Sequence, residues 1–362
     1  MQAGIRPIDT ESMRDQRRSK SLVLLLFSLR KRGAANMKPK VIAYKKIYPE
    51  VLAYLQEACE VMHLEEWNEE GRSAFDAALG GAEGLIGTGL KIDHELLERA
   101  PKLKIVSNIA VGYDNFDLGA MSRHRVMATN TPDVLTDTVA DTMMGLILAA
   151  ARRIPEMDQL VKSGRWTSPL TSAQFGTDVH HKTLGIVGMG RIGSAIAKRA
   201  HLGFDMNILY HNRSRNVEVE RRYQATYCTL DELCRQADFV CVMVPLTEET
   251  TNLIGEKEFQ AMKKTAIFIN GSRGATVDEK ALVKALREGE ILAAGLDVFA
   301  KEPVDHDHPL LGMPNVVTLP HIGSATEETR FRMAQFAAEN LVAGLQGKRP
   351  PALLNEEVYL NS

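Results

Sequence analysis

Two Rossmann-like, doubly wound parallel-sheet domains with a site in the cleft between them are what this sequence predicts, an α/β protein throughout. Three observations lead there. From Lys40 onward, short runs rich in β-branched residues alternate with stretches of helical periodicity. The runs fall into two sets, separated by a turn signal and a long helix-compatible stretch. The second set opens on a glycine-rich turn of the dinucleotide-binding kind.

Composition agrees with that architecture. At 362 residues the chain exceeds what one hydrophobic core usually organises, so two domains are expected. Hydrophobic residues make up 44% and charged residues 25%, with a formal net charge of -2, as in an ordinary globular protein that needs no membrane. Nucleic acid is excluded as a main partner, because phosphate binding needs a basic surface. Cys59, Cys228, Cys234 and Cys241 form no ladder of spacings and no Cys-x-x-Cys pair, which points to reduced thiols, a cytoplasmic location and no metal. His306, Asp307 and His308 read as a polar loop.

Residues 1–36 differ from the rest. Two basic runs, Arg17-Arg18-Ser19-Lys20 and Arg30-Lys31-Arg32, flank the apolar residues 22–27. That stretch is far short of the roughly 20 apolar residues a bilayer span takes. Charges directly after it and the lack of a small-x-small site argue against a signal peptide. A disordered leader is expected, or a segment upstream of a true start at Met37, since Arg32-Gly33 can be encoded by a purine-rich ribosome-binding sequence.

The first set of strands is read at residues 41–44, 84–87, 103–106 and 125–128. Asn130-Thr131-Pro132-Asp133 then marks a turn, and a helix over 136–151 carries the chain out of the first domain. The second set is read at 184–187, 208–210, 239–244, 266–269, 292–296 and 316–319. Beyond it, Ser324-Ala325-Thr326-Glu327 matches a capping box, and Met333, Ala337, Leu341 and Leu345 recur every four residues along an amphipathic helix that leads back. The expected organisation is a substrate domain of residues 37–133 and 322–358, with an NAD(P)-binding Rossmann domain of residues 134–321 between its parts.

The strand at 184–187 runs straight into Gly188-Met189-Gly190-Arg191-Ile192-Gly193, after which Ile192, Ile196 and Ala200 begin a helix. The first glycine allows the tight turn, the second lets backbone approach a pyrophosphate, and the third lets helix and strand pack closely. The helix N-terminus then attracts the phosphate charge. NAD sites usually place an acidic residue at the end of the next strand. Here that strand ends in His211-Asn212-Arg213-Ser214-Arg215, with no carboxylate and two guanidiniums. The arginines are either solvated loop charges or a pocket for the 2′-phosphate of NADP.

Three later strands end in residues able to do chemistry: Asn270-Gly271-Ser272-Arg273-Gly274, Asp297 with Glu302, and Pro320-His321-Ile322-Gly323. Ligand crevices of open α/β sheets lie beyond the carboxyl ends of strands, so all three loops can face one ligand.

Together with Val111-Gly112-Tyr113-Asp114-Asn115, Val244-Pro245-Leu246-Thr247 and Gly295-Leu296-Asp297-Val298-Phe299 followed by Glu302-Pro303, these segments resemble the D-isomer-specific 2-hydroxyacid dehydrogenase family over residues 37–358. The stretches 110–117 and 130–137, and Asp178-Val179-His180-His181-Lys182, are most similar to its glyoxylate/hydroxypyruvate reductase branch, which includes 2-ketogluconate reductases. The resemblance implies an oxidoreductase that reduces a small polar 2-oxo acid to its D-2-hydroxy acid with NAD(P)H, acting as a homodimer. It implies His321 as general acid, Glu302 as the carboxylate that holds His321 and favours its protonated form, and Arg273 as the fork for the substrate carboxylate. Backbone N–H groups of Val111 and Gly112 would take the other carboxylate oxygen. Cofactor contacts are implied for Thr138, the whole 188–193 turn, Asn212, Arg213, Ser214, Gly271, Ser272 and Gly323. Asp297 would orient the nicotinamide carboxamide, and Val244, Pro245 and Thr250 would line the adenosine side. The expected cofactor is NADP(H), with NAD(H) possible.

Two departures bear on specificity. Animal members of the branch place a partner-subunit tryptophan near the substrate, whereas the corresponding loop here reads Trp166-Thr167-Ser168-Pro169-Leu170. The chain ends soon after Val358, without the extra regulatory domain of many phosphoglycerate dehydrogenases. Formate dehydrogenases of the family lack the Glu–His pairing that Glu302 provides. A reductase of 2-ketogluconate or another 2-oxo acid is the alternative enzyme, and a dinucleotide-sensing binding protein like the family's corepressors is the alternative outside enzymes.

Overall fold

The computed structural model describes residues 38–360, so the leader over 1–36 and the start at Met37 lie outside the described residues. From Pro39 on the chain forms one unit, built on two sheets. The first has the order β2-β1-β3-β4-β5, with β1 Lys40–Tyr44, β2 Glu60–Leu64, β3 Gly84–Gly87, β4 Ile105–Asn108 and β5 Met127–Thr129. The second has the order β12-β11-β10-β9-β6-β7-β8. Its strands are β6 Thr183–Val187, β7 Asn207–His211, β8 Thr226–Tyr227, β9 Phe239–Val242, β10 Ile267–Asn270, β11 Ala293–Leu296 and β12 Val316–Thr318. Every pairing in both is parallel.

Because all strands of a sheet point the same way, all their carboxyl ends share one edge, and order reverses between β1 and β3 and between β6 and β9. Side chains alternate between faces: Ile267 and Ile269 enter the core under the helix Thr136–Ala151, while Phe268 between them packs with Phe259 and Leu282 on the other side. The helix Thr136–Ala151 therefore belongs to the seven-stranded layer. The helix Glu327–Leu345 returns to the five-stranded one, where Ala334, Ala337, Ala338 and Leu341 lie on Val41, Ala43, Ile86 and Ile105. Alanines at these contacts let the helix sit close to the sheet.

Most strand boundaries move by one or two residues from those read in the sequence, and two strands are additional. Strand β2 was hidden by its edge position: Glu60 and Met62 are exposed, so only Val61 and Leu64 pack inward and alternation is weak. Strand β8 has two residues. The cap of the long C-terminal helix is Thr326, whose hydroxyl accepts from the N–H of Thr329 at 3.2 Å, so the box starting at Ser324 is corrected.

Cys228, Cys234 and Cys241 are free thiols, and burial pushes the last two up to about 12. No group of His, Cys, Asp or Glu among the described residues is arranged to hold a metal. None of the described helices is long and apolar enough to cross a membrane.

Candidate active site

The carboxyl ends of both sheets meet at a cleft of about 520 Å³. From the first sheet come Asn108 and the loop Ile109 to Asn115 after β4; from the second come Gly271 and Arg273 after β10, Asp297 and Glu302 after β11, and His321 and Gly323 after β12. The meeting of the two sheets thus brings Asn108, at the end of β4, and Gly323, after β12, into one cleft.

His321 and Glu302 form the tightest pair. Glu302 Oε2 lies 2.7 Å from His321 Nδ1, and Oε1 accepts from the N–H of Phe299 at 3.0 Å. With Nδ1 donating to the carboxylate, the remaining ring nitrogen Nε2 is left for a ligand. His321 has φ 54, in the left-handed region rarely used outside glycine. The next two residues are tied down: both oxygens of buried Asp297 accept backbone N–H groups, from Ile322 at 2.7 Å and Gly323 at 2.8 Å. Burial raises the Asp297 pKa, and these two hydrogen bonds oppose the rise. Asp297 therefore acts first as the clamp on the His321 loop, with lone pairs left over for an amide donor.

Arg273 reaches across the cleft. Its Nε donates to Asp114 Oδ1 at 3.0 Å and its Nη1 to the Ser272 carbonyl at 2.9 Å. The guanidinium lies so close over Gly112 that a β-carbon there would force Nη2 to shift. The loop beneath is held by Asn108 Nδ2, which donates to the Gly112 carbonyl at 2.8 Å, and by Asn115 Nδ2, which donates to the Leu90 carbonyl at 2.7 Å.

The glycine turn has the shape a pyrophosphate needs. Gly188 has φ +104 and sits against Met243, and a β-carbon on Gly193 would collide with the Gly188 carbonyl. Around the α-carbon of Gly190 there is open space, at the N-terminus of the 14-residue helix Arg191–Phe204. Ile192 also lines the cleft, joining this turn to it.

Other residues singled out in the sequence are placed differently. Ser272 is buried with its hydroxyl on Asn270 Oδ1 at 3.0 Å, so its side chain points away from the cleft, and Met189 is buried as well. The Thr138 hydroxyl is 2.6 Å from that of Thr329 and joins two helices. Arg191 pairs with Asp133 at 2.6 Å. The Thr250 hydroxyl closes its own turn, donating to the Pro245 carbonyl at 2.6 Å, and Val244 packs on the core. Asn212 Nδ2 donates to the Ser214 carbonyl at 3.0 Å.

Arg215, the second guanidinium after β7, is already paired. It is held two-pronged by Glu220, with Nε to Oε1 at 2.9 Å and Nη2 to Oε2 at 2.6 Å, and Tyr210 donates to the same carboxylate at 2.7 Å. Arg213 is exposed beside Ser214 at the end of β7. Residues of the cleft that sequence reasoning had not assigned include Asn108, Asp114, Leu246, Phe299, Ser324 and Arg330. Asp114, Leu246, Phe299 and Ser324 stood inside segments already quoted, but nothing local marks them as lining the cleft; Asn108 and Arg330 carry no signal short of the fold.

Similarity to known proteins extends over most of the chain. The sequence profile of the D-isomer specific 2-hydroxyacid dehydrogenase NAD-binding domain matches residues 144–323. A glyoxylate/hydroxypyruvate reductase B of Escherichia fergusonii is 53% identical over 322 residues, covering 89% of this chain and 99% of the relative. An NADPH-dependent glyoxylate/hydroxypyruvate reductase of Sinorhizobium meliloti, solved in complex with NADP and malonate, superposes with TM-score 0.78 at 35% identity over 88% of this chain and 97% of that one. A glyoxylate reductase of Paecilomyes thermophila superposes with TM-score 0.80 at 30% identity over 88% and 99% of the two chains. Two parallel sheets meeting at their carboxyl ends, a glycine cradle on one and relatives matched along nearly their whole length leave one assignment: the chain belongs to the D-isomer-specific 2-hydroxyacid dehydrogenase family.

Proposed function

We propose that this protein reduces glyoxylate to the achiral glycolate and hydroxypyruvate to its D-2-hydroxy acid, with NADPH preferred over NADH. The observation that carries the reading is the meeting of Arg273, Glu302 and His321 in one cleft, beside a glycine turn shaped for a dinucleotide. The half of residues 37–133 and 322–358 would bind substrate, and residues 134–321 would bind cofactor.

The 188–193 turn would hold the pyrophosphate, Arg213 and Ser214 the 2′-phosphate, and Asp297 the carboxamide. Reduced nicotinamide, when bound, supplies hydride. The protein's own share is to fix and protonate the acceptor. Arg273 has five N–H donors and spends one on Asp114 and one on the Ser272 carbonyl, so three remain for a carboxylate and its neighbouring carbonyl. The Val111 and Gly112 N–H groups lie on the same loop. His321 delivers the proton from Nε2 to the carbonyl oxygen, and Glu302 fixes the ring's orientation and offsets the charge of the protonated ring.

The test is a panel of glyoxylate, hydroxypyruvate, pyruvate and 2-ketogluconate, each with NADPH and NADH. The highest kcat/KM is expected for glyoxylate or hydroxypyruvate with NADPH. A higher value for 2-ketogluconate would move the assignment within the family, and no turnover of any 2-oxo acid would favour a dinucleotide-sensing binding protein.

The reading includes a cytoplasmic homodimer. Ile154, Val161, Trp166, Leu170 and Phe175 are all exposed within one stretch of helix and loop, a density of apolar side chains that a partner copy would cover. Light scattering is expected to give about twice the 40.0 kDa chain mass; a monomer at micromolar concentration would refute it.

A further inference from the structure

The substrate-carboxylate site is assembled from two sheets. Its N–H groups sit on the loop after β4, its guanidinium on the loop after β10, and the side-chain contact that joins them is Arg273 Nε to Asp114 Oδ1, between residues 159 apart in sequence. Both partners are about two-thirds buried, at 29% and 32% side-chain exposure. Resting on the reading above, we propose that Asp114 is the positioning residue of this site. Its carboxylate fixes the rotamer of Arg273 so that Nη2 overlies Gly112 and faces the cleft.

The alternative is that Asp114 is only a counter-ion, and the two roles have opposite signs. A carboxylate 3.0 Å from the guanidinium lowers the positive potential that draws an anionic substrate. Were charge its whole effect, removing Asp114 would tighten substrate binding. Against this stands the geometry of Arg273. A free arginine side chain has many rotamers and loses most of them on binding. Here Nε is fixed by Asp114 and Nη1 by the Ser272 carbonyl, so the two remaining edges are aimed before substrate arrives. Asp114 is itself aimed, because its loop is pinned by Asn108 to the Gly112 carbonyl and by the Ile92 N–H, which donates to the Asn115 carbonyl at 2.9 Å. Without the carboxylate, Nε has no partner and the fork is free to leave Gly112.

Steady-state kinetics of the full chain with NADPH and glyoxylate test this. Asp114→Ala is expected to raise the glyoxylate KM on the order of tenfold, the value of one charge-assisted hydrogen bond, with a smaller fall in kcat. Asp114→Asn keeps an acceptor oxygen for Nε without the charge, and is expected to recover part of that loss. In an Arg273→Ala background, Asp114→Ala is expected to change KM no further. Binding of NADPH, followed by fluorescence titration, should stay within about twofold in each variant, which shows that the fold is intact. A KM that is unchanged or lowered in both Asp114 variants would overturn the positioning role. Failure of the parent protein to reduce glyoxylate would instead overturn the functional reading, so the two failures are told apart.

Discussion

Replacing His321 by alanine is expected to lower kcat for 2-oxo acid reduction by about 10²–10⁴-fold, the usual contribution of a positioned general acid. NADPH binding should hardly change, because the ring lies at the end of β12 while the glycine turn proposed for the pyrophosphate lies at the end of β6. The Glu302→Gln variant should lose less. It keeps the shape of the side chain and an oxygen that can accept from Phe299 or His321, but removes the charge that balances a protonated imidazole. Rapid-mixing kinetics that separate cofactor binding from turnover will distinguish these effects. If His321→Ala retained activity within about twofold of the parent, general-acid catalysis by this residue would have to be abandoned.

The second large effect concerns the cofactor. A ribose with two free hydroxyls is best held by a carboxylate that accepts both hydrogen bonds, and the same carboxylate repels a 2′-phosphate. At the end of β7 the side chain is Asn212, whose Nδ2 donates to the Ser214 carbonyl and which carries no negative charge to repel a phosphate. Arg213 beside it is exposed. One engaged charge-assisted contact of about 1.5–3 kcal/mol corresponds to a preference for NADPH of roughly tenfold to hundredfold in kcat/KM. Arg213→Ala should remove most of that preference and leave the NADH value in place. Arg215→Ala should do less to selectivity, since Nε and Nη2 of that guanidinium are already held two-pronged by Glu220 and orient it toward that carboxylate. Equal or better kcat/KM with NADH, or an Arg213→Ala variant with unchanged NADPH KM, would rule out the phosphate pocket.

The amino-acid sequence by itself determined whatever depends on neighbours along the chain. The turn after β6 is legible because Gly188, Gly190 and Gly193 answer steric demands within six residues: a positive φ, open space at the N-terminus of a helix, and close packing against the Gly188 carbonyl. Most strands could be read from their apolar, β-branched runs, because strands buried on both faces leave little else to choose from. Arg273, Glu302 and His321 could be nominated because each comes after such a run, and in a parallel sheet every run ends on the same edge.

Contacts across the fold were decided by tertiary structure alone. Asp114 meets Arg273 only because the loops after β4 and β10 face each other, and no periodicity encodes that meeting. Arg215 read as a free cation until Glu220 was found beside it, five residues on but brought back by the first turn of the next helix. Ser272 turned inward because the Asn270 side chain captured its hydroxyl, and β2 stayed hidden because an edge strand buries too few side chains to alternate clearly. The common reason is that side-chain direction and pairing are set by what packs opposite in three dimensions, whether that group is 159 residues away, as Asp114 is from Arg273, or two, as Asn270 is from Ser272.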